Sequence, residues 1–230
     1  MYTRCDQGVA VLFDLDGTLV DSQDAETLAL HRLATQLGGE ISTAEVASLA
    51  AGRRMQEAID MICARVSVSP PVDALARTRR LAEVFLEGRL RCIPGVDDAL
   101  ERIDHPKFVV SNSPEDMICD RLVRTNLAPH FPGPHFSAYE FHTWKPAPDL
   151  YLAAIRSLGL TAETAVAVED SEVGVQAAVA AGLRVYWYQP GFAGEECWTG
   201  PVRVFGQMSA LPEMLAEHLG APQKLALGHQ

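Results

Sequence analysis

Apolar and polar positions along the chain follow two periods, one typical of strands and one typical of helices. The run at 9–13 is almost continuously apolar, as expected for a strand buried inside a parallel sheet. Helical patterns separate it from four later strand-like runs, and this alternation predicts an α/β fold with a Rossmann-like, doubly wound parallel sheet. The later runs are 107–110, 165–168, Arg184–Tyr188 and Val202–Phe205.

Only helical patterns occur between the first and second predicted strands. After a helix that should end near Gly38, apolar residues recur at helical spacing in Thr43–Ala50, 54–66 and 73–90. A stretch without strands predicts a small helical domain inserted into the α/β core. We therefore predict a core domain of residues 1–18 and 91–230 and a helical cap domain of residues 19–90.

Polar side chains directly follow three of the predicted strands. Ligands of doubly wound sheets bind at the carboxyl ends of the strands, so three polar ends at one edge predict a functional site. Taken alone, the first of them is also compatible with an ordinary Asp/Gly turn. The three pairs are Asp14 and Asp16, Ser111 and Asn112, and Glu169 and Asp170.

A helix start is predicted immediately after the second strand. Ser113 is expected to be its N-cap, Pro114 its first residue, and Asp116 the acidic residue of a capping box. The free N–H groups of such a helix start can bind an anion.

Composition and charge exclude several classes of partner. A formal net charge of -11 and the lack of a Lys/Arg-rich run argue against nucleic acid as a binding partner.

No apolar run reaches the roughly 18 residues of a membrane span, and no targeting pattern is visible at the N-terminus. The five cysteines are scattered without a CxxC pair, which predicts neither disulfides nor a zinc site. We expect a cytoplasmic protein, monomeric or a small homo-oligomer.

Four segments in this order resemble the haloacid dehalogenase-like (HAD) superfamily of hydrolases. They are DLDGTLVDS at 14–22, VVSNS at 109–113, WKPAPDLY at 144–151 and VAVEDSEVGVQAA at 166–178. The helical insertion after the first segment is similar to the α-helical cap of the branch that contains sugar phosphatases, 6-phosphogluconate phosphatase and β-phosphoglucomutase. The resemblance covers nearly the whole chain.

The resemblance implies a phosphatase that forms an aspartyl-phosphate, and the chemistry of the residues agrees with it. Asp14 would be the nucleophile, and Asp16 the general acid toward the leaving alcohol and then the base for water. Mg²⁺ prefers oxygen ligands, which fits Asp14, the backbone carbonyl of Asp16 and Asp170. Glu169 would be a further ligand, directly or through water.

Positive charge and hydrogen bonds at the phosphate would come from a few placed residues. Lys145 would supply the charge as a catalytic and phosphate-binding residue. At the end of the second strand, Ser111 would likewise be catalytic and phosphate-binding, and Asn112 would bind phosphate. These local donors explain how an acidic protein can bind an anion.

The choice of substrate should depend on the helical insertion. Arg53, or its neighbour Arg54, could bind a carboxylate or second phosphate of a small sugar or sugar-acid phosphate. The alternative is that these arginines are simply the solvated end of a helix.

The presence of Asp16 favours phosphoryl chemistry over dehalogenation. The mutase relatives carry a histidine ten residues after the nucleophile, where this chain has Asp24. Hydrolysis is therefore preferred over the alternatives, a phosphosugar mutase and a non-catalytic regulatory protein.

Overall fold

A mostly parallel sheet forms the centre of the molecule. The computed structural model describes residues 9–51, 53–194 and 198–219. Within these residues, seven strands form one sheet in the order β3-β2-β1-β4-β5-β7-β6, parallel except for the edge pair β6–β7. The strands are β1 (Ala10–Phe13), β2 (Lys107–Ser111), β3 (Phe136–Ser137), β4 (Ala165–Glu169), β5 (Arg184–Tyr188), β6 (Trp198–Thr199) and β7 (Val202–Phe205).

The α/β fold class predicted from the sequence is confirmed, and so are the five strand-like runs. Strands β5 and β7 have the predicted bounds, and the other three differ by one residue at one end. In the register of the sheet, Leu12 of β1 lies opposite Phe108 of β2 on one side and Ala167 of β4 on the other. The polar residues after β1, β2 and β4 are consequently neighbours.

Strands β3 and β6 were not predicted. The segment 126–139 is rich in Pro, His and Phe, a composition that predicts an irregular loop, but it contains a 3₁₀ turn (Ala128–His130), strand β3 and the start of a helix. A two-residue strand carries no measurable period, and β3 exists because Phe136 and Ser137 pair with the end of β2. Strand β6 likewise depends on antiparallel pairing with β7.

Five helices lie between β1 and β2, and the first four form the inserted helical stretch that the pattern indicated. The bounds of these four are α1 (Gln23–Gln36), α2 (Thr43–Ala50), α3 (Met55–Arg65) and α4 (Ala74–Leu86). They share a hydrophobic cluster of their own, which includes Leu30, Val46, Ile59 and Ile62. We call residues 23–86 the helical insertion; the domain boundaries at residues 18 and 90 stay a prediction.

The remaining helices cover both faces of the sheet. They are α5 (Val96–Arg102), α6 (Glu115–Arg124), α7 (Ala138–Phe141), α8 (Asp149–Leu158), α9 (Glu172–Ala180) and α10 (Leu211–Leu219). Because side chains alternate along a strand, Val11 and Phe13 pack into one cluster with α5, α6 and α10, whereas Ala10 and Leu12 pack into another with α8 and α9. None of the helices in the described ranges has the length and apolar character to cross a bilayer.

We expect Ile62→Ala to destabilise the protein by about 2–5 kcal/mol, because it removes a fully buried side chain from the cluster of the helical insertion and leaves a cavity. Met61→Ala on the same helix is the matched control, since Met61 is 36% exposed, and should change the free energy of unfolding by less than about 0.5 kcal/mol. Urea unfolding measures both. Equal effects of the two substitutions would contradict the assigned packing.

Candidate active site

The first side chain beyond β1 is Asp14, which is 8% exposed. Its backbone N–H donates to the Val168 carbonyl (2.9 Å), so the residue is fixed between β1 and β4. The ammonium of Lys145 donates to Asp14 Oδ1 (2.6 Å), Glu169 Oε1 (2.5 Å) and the Val110 carbonyl (2.7 Å). All three N–H donors of a side chain that is 3% exposed are thereby used.

Asn112 holds the backbone of this lysine in place. Its Oδ1 accepts from the Lys145 N–H (2.9 Å), and its Nδ2 donates to the Lys145 carbonyl (3.3 Å). Both ends of the amide therefore bind the lysine backbone, a positioning role that the sequence did not indicate. The predicted contact of Asn112 with phosphate stays a prediction. Ser111 is buried, and its Oγ accepts from the Ser113 N–H (3.0 Å).

Three carboxylates converge beside Lys145. One oxygen each of Asp14, Glu169 and Asp170 lies within 4.8 Å of the others. Glu169 is fully buried and accepts from the Tyr151 hydroxyl (2.7 Å). A Cβ at position 174 would lie 2.0 Å from its carboxylate, so the first turn of α9 requires Gly174 there.

Asp170 is bound by residues that follow the β1 turn. It accepts hydrogen bonds from Thr18 Oγ1 (3.2 Å) and Gln23 Nε2 (2.6 Å). Gly17, with φ +90°, allows this approach, because a Cβ there would lie 2.2 Å from Asp170 Oδ2. The turn after β1 and the end of β4 are thus packed directly against each other.

The electrostatics of this cluster are dominated by negative charge. Burial raises the pKa of Asp14 well above its ordinary value despite the opposing effect of Lys145. Burial and the neighbouring Glu169 raise the pKa of Asp170 to about 7. Burial disfavours the charged form of Lys145, yet Asp14 and Glu169 raise its pKa above the usual value. Three carboxylates share one ammonium, so an oxygen-preferring cation fits here.

Asp16 belongs to a second charge cluster. Its Oδ1 accepts from Ser22 Oγ (2.6 Å) and from Arg121 Nη1, and its Oδ2 accepts from Ser113 Oγ (2.7 Å). The expected N-cap role of Ser113 is wrong, because its hydroxyl binds Asp16. Pro114 is the N-cap of α6, which begins at Glu115 without a side-chain cap.

Arg121 is the site residue that sequence analysis missed. Its side chain is 1% exposed, and its Nη2 donates to Glu26 Oε1 (3.0 Å) and Glu83 Oε1 (3.3 Å) of the helical insertion. Burial, with the nearby Asp16, raises the pKa of Glu26 to about 7. The available signal was an arginine at helical spacing on the buried face of α6, three residues after Ile118.

A cavity of about 760 Å³ lies between the sheet edge and the helical insertion. Arg53, Arg54 and Arg79 of the insertion line it. Arg53 Nη1 donates to the Leu49 carbonyl (2.9 Å), and Arg54 forms an ion pair with Glu57. Among the residues predicted for the site, all but Glu169 line this cavity: Asp14, Asp16, Arg53, Ser111, Asn112, Lys145 and Asp170.

Several known proteins resemble this chain over most of its length. The chain is 30% identical to 6-phosphogluconate phosphatase of Escherichia coli over 212 residues, 89% of this chain and 93% of that protein. The crystal structure of a conserved haloacid dehalogenase-like protein of unknown function from Agrobacterium tumefaciens is 28% identical, with a TM-score of 0.76 over 92% of this chain and 99% of that one.

A second solved structure is a HAD family hydrolase from Deinococcus radiodurans with bound phosphate and sodium. It is 25% identical, with a TM-score of 0.72 over 92% of this chain and 96% of that chain. The sequence profile of haloacid dehalogenase-like hydrolases matches residues 11–188, which include both charge clusters. The chain therefore belongs to the haloacid dehalogenase-like hydrolase family, as its four sequence segments predicted.

Proposed function

We propose that this protein is a magnesium-dependent phosphatase of small phosphate monoesters, and that its substrates are sugar or sugar-acid phosphates. One observation carries the proposal: the Asp14 carboxylate lines a large cavity and is held by Lys145 beside two further carboxylates. The relatives named as 6-phosphogluconate phosphatase and as a phosphate-bound hydrolase support the substrate class.

Asp14 would attack phosphorus and form an aspartyl-phosphate while the bond from phosphorus to the leaving oxygen breaks. Lys145 orients the attacking carboxylate through Oδ1 and places positive charge beside the incoming phosphate. Asp16 would donate a proton to the leaving oxygen, then accept one from the water that hydrolyses the intermediate. Its separate cluster gives it a different environment from Asp14, as two carboxylates with different roles require.

The oxygens of Asp14 and Asp170, with the backbone carbonyl of Asp16, would hold Mg²⁺, and Glu169 would bind directly or through water. When bound, the ion would supply positive charge that offsets the repulsion between Asp14 and the phosphate oxygens. The excess of carboxylates over ammonium groups in this cluster supports the assignment.

The alternative of a phosphosugar mutase is less well supported. Asp24, at the position where the mutase relatives carry histidine, lines the cavity of this chain.

A screen of magnesium-dependent phosphate release over sugar phosphates, phosphoglycolate, nucleotides and phosphogluconate tests the proposal. A mutase would instead convert glucose 1-phosphate in the presence of a bisphosphate activator and release little phosphate. A non-catalytic protein would do neither.

We expect Asp14→Asn to lower kcat by at least about a thousandfold, because the amide cannot form the covalent intermediate. Asp97→Asn is the control for the same chemical change, since Asp97 is exposed on α5, and it should retain activity. Phosphate release and circular dichroism are measured for both. An Asp14→Asn protein as fast as the wild type would refute the nucleophile assignment.

We expect Asp170→Asn to weaken Mg²⁺ binding by at least about tenfold, because it removes one of the carboxylates that would hold the ion. The measurement is the rise of Tm with added MgCl₂, which reports binding to the folded state without requiring activity. Asp97→Asn serves again as the control. The same magnesium dependence in Asp170→Asn and wild type would exclude Asp170 as a ligand.

We expect Arg53→Ala to lower kcat/KM by about tenfold for phosphate esters that carry a second anionic group, because a charged hydrogen bond is lost. An ester without a second anion should be affected less. Arg32→Ala is the control, since Arg32 is exposed on α1. Unchanged selectivity of Arg53→Ala across the ester panel would eliminate this arginine as a specificity residue.

A further inference from the structure

Arg121 connects the α/β core to two helices of the insertion. It lies on α6, and its guanidinium binds Asp16 of the turn after β1, Glu26 of α1 and Glu83 of α4. The side chain is 1% exposed, and its Nε–H is buried without a hydrogen-bond partner among the described residues. Such a desolvated guanidinium is stabilised mainly by the carboxylates around it.

The orientation of Asp16 depends on this arginine. Ser22 and Arg121 both bind Oδ1, and Ser113 binds Oδ2, so the carboxylate cannot rotate without breaking the ion pair. The Asp16 side chain remains 20% exposed and lines the cavity. The Asp16 carboxylate is therefore fixed by its hydrogen bonds and remains accessible to a substrate in the cavity.

We propose that Arg121 is a positioning residue that holds Asp16 for proton transfer to the leaving group. Glu26 and Glu83 fix the other side of the guanidinium, so the placement of Asp16 depends on the docking of the helical insertion. The planar fork of arginine suits this role, because it binds carboxylates on two sides at once, whereas lysine offers a point charge. This inference rests on the proposed phosphatase function.

The leaving group provides the diagnostic measurement. A sugar phosphate needs a proton on its departing alkoxide, whereas p-nitrophenyl phosphate releases a stable anion without one. The kinetic parameter kcat/KM reports the steps up to release of the alcohol, where Asp16 would act as the acid. Loss of Asp16 positioning should therefore affect the sugar phosphate selectively.

Arg124 offers a matched control on the same helix. It donates to Glu83 Oε2 (2.7 Å) and to the Leu86 carbonyl (3.0 Å), so it also joins α6 to the helical insertion. Within the described part of the chain it makes no hydrogen bond to Asp16. A comparison of the two arginines separates positioning of Asp16 from docking of the insertion.

The experiment compares four variants on a sugar phosphate and on p-nitrophenyl phosphate: Arg121→Gln, Arg121→Lys, Glu83→Gln and Arg124→Gln. We expect Arg121→Gln to lower kcat/KM by about a hundredfold for the sugar phosphate and by less than about threefold for the aryl ester. Arg121→Lys should restore part of the loss. Glu83→Gln should lower the sugar-phosphate value by roughly threefold to tenfold, and Arg124→Gln should leave the ratio of the two esters unchanged.

Equal losses on both esters in Arg121→Gln, or the same change of ratio in Arg124→Gln, would overturn the proposal. If Arg121→Gln does not fold by circular dichroism, Arg121→Lys is tested in wild type and in an Asp16→Asn background. Arg121→Lys should have no effect once Asp16 is neutralised, and a further loss would overturn the proposal. A wild-type protein that releases phosphate from no ester would refute the proposed function itself, which is a different result.

Discussion

Burial of the Lys145 ammonium among carboxylates at one edge of the sheet is the interaction on which the site depends. Asp14, Glu169 and the Val110 carbonyl come from the ends of β1, β4 and β2, and all bind the same nitrogen. Because Lys145, Asp14 and Glu169 are all buried, removing one of these charges would leave another uncompensated. Two further residues serve this arrangement. Asn112 binds the backbone of Lys145, and Gly174 leaves room for the Glu169 carboxylate.

A single turn divides the acidic residues into two groups. Asp14 joins the cluster of Lys145, Glu169 and Asp170, whereas Asp16, two residues later, joins that of Arg121. The first group has a surplus of carboxylates and fits a cation. The second is bound to a guanidinium and hydroxyl groups. One short turn thereby gives two neighbouring aspartates separate environments, which is a requirement for separate chemical roles.

The helical insertion lines one side of the cavity but contributes none of the three carboxylates beside Lys145. Two of its arginines stack on aromatic side chains of the core: the Arg54 guanidinium lies 5.0 Å from the Trp144 ring centroid, and that of Arg79 lies 5.1 Å from the Tyr139 centroid. Trp144 immediately precedes Lys145 in the chain. The contact surface of the insertion is consequently adjacent to the residue that organises the charge cluster.

The sequence by itself determined the α/β class, the five main strands, the helical insertion and the candidate residues at the strand ends. Those features are local, because a buried parallel strand needs a continuous apolar run, and polar residues at its carboxyl end are visible beside it. Only the tertiary structure decided three other features. They are strand β3, the partner of the Ser113 hydroxyl and the position of Arg121. The Phe136–Ser137 strand needs β2 as a partner, and Ser113 binds Asp16 instead of capping α6. Helical spacing places Arg121 on the buried face of α6, but its partners Asp16, Glu26 and Glu83 are far away in sequence. Only the folded chain shows that these three carboxylates bind it.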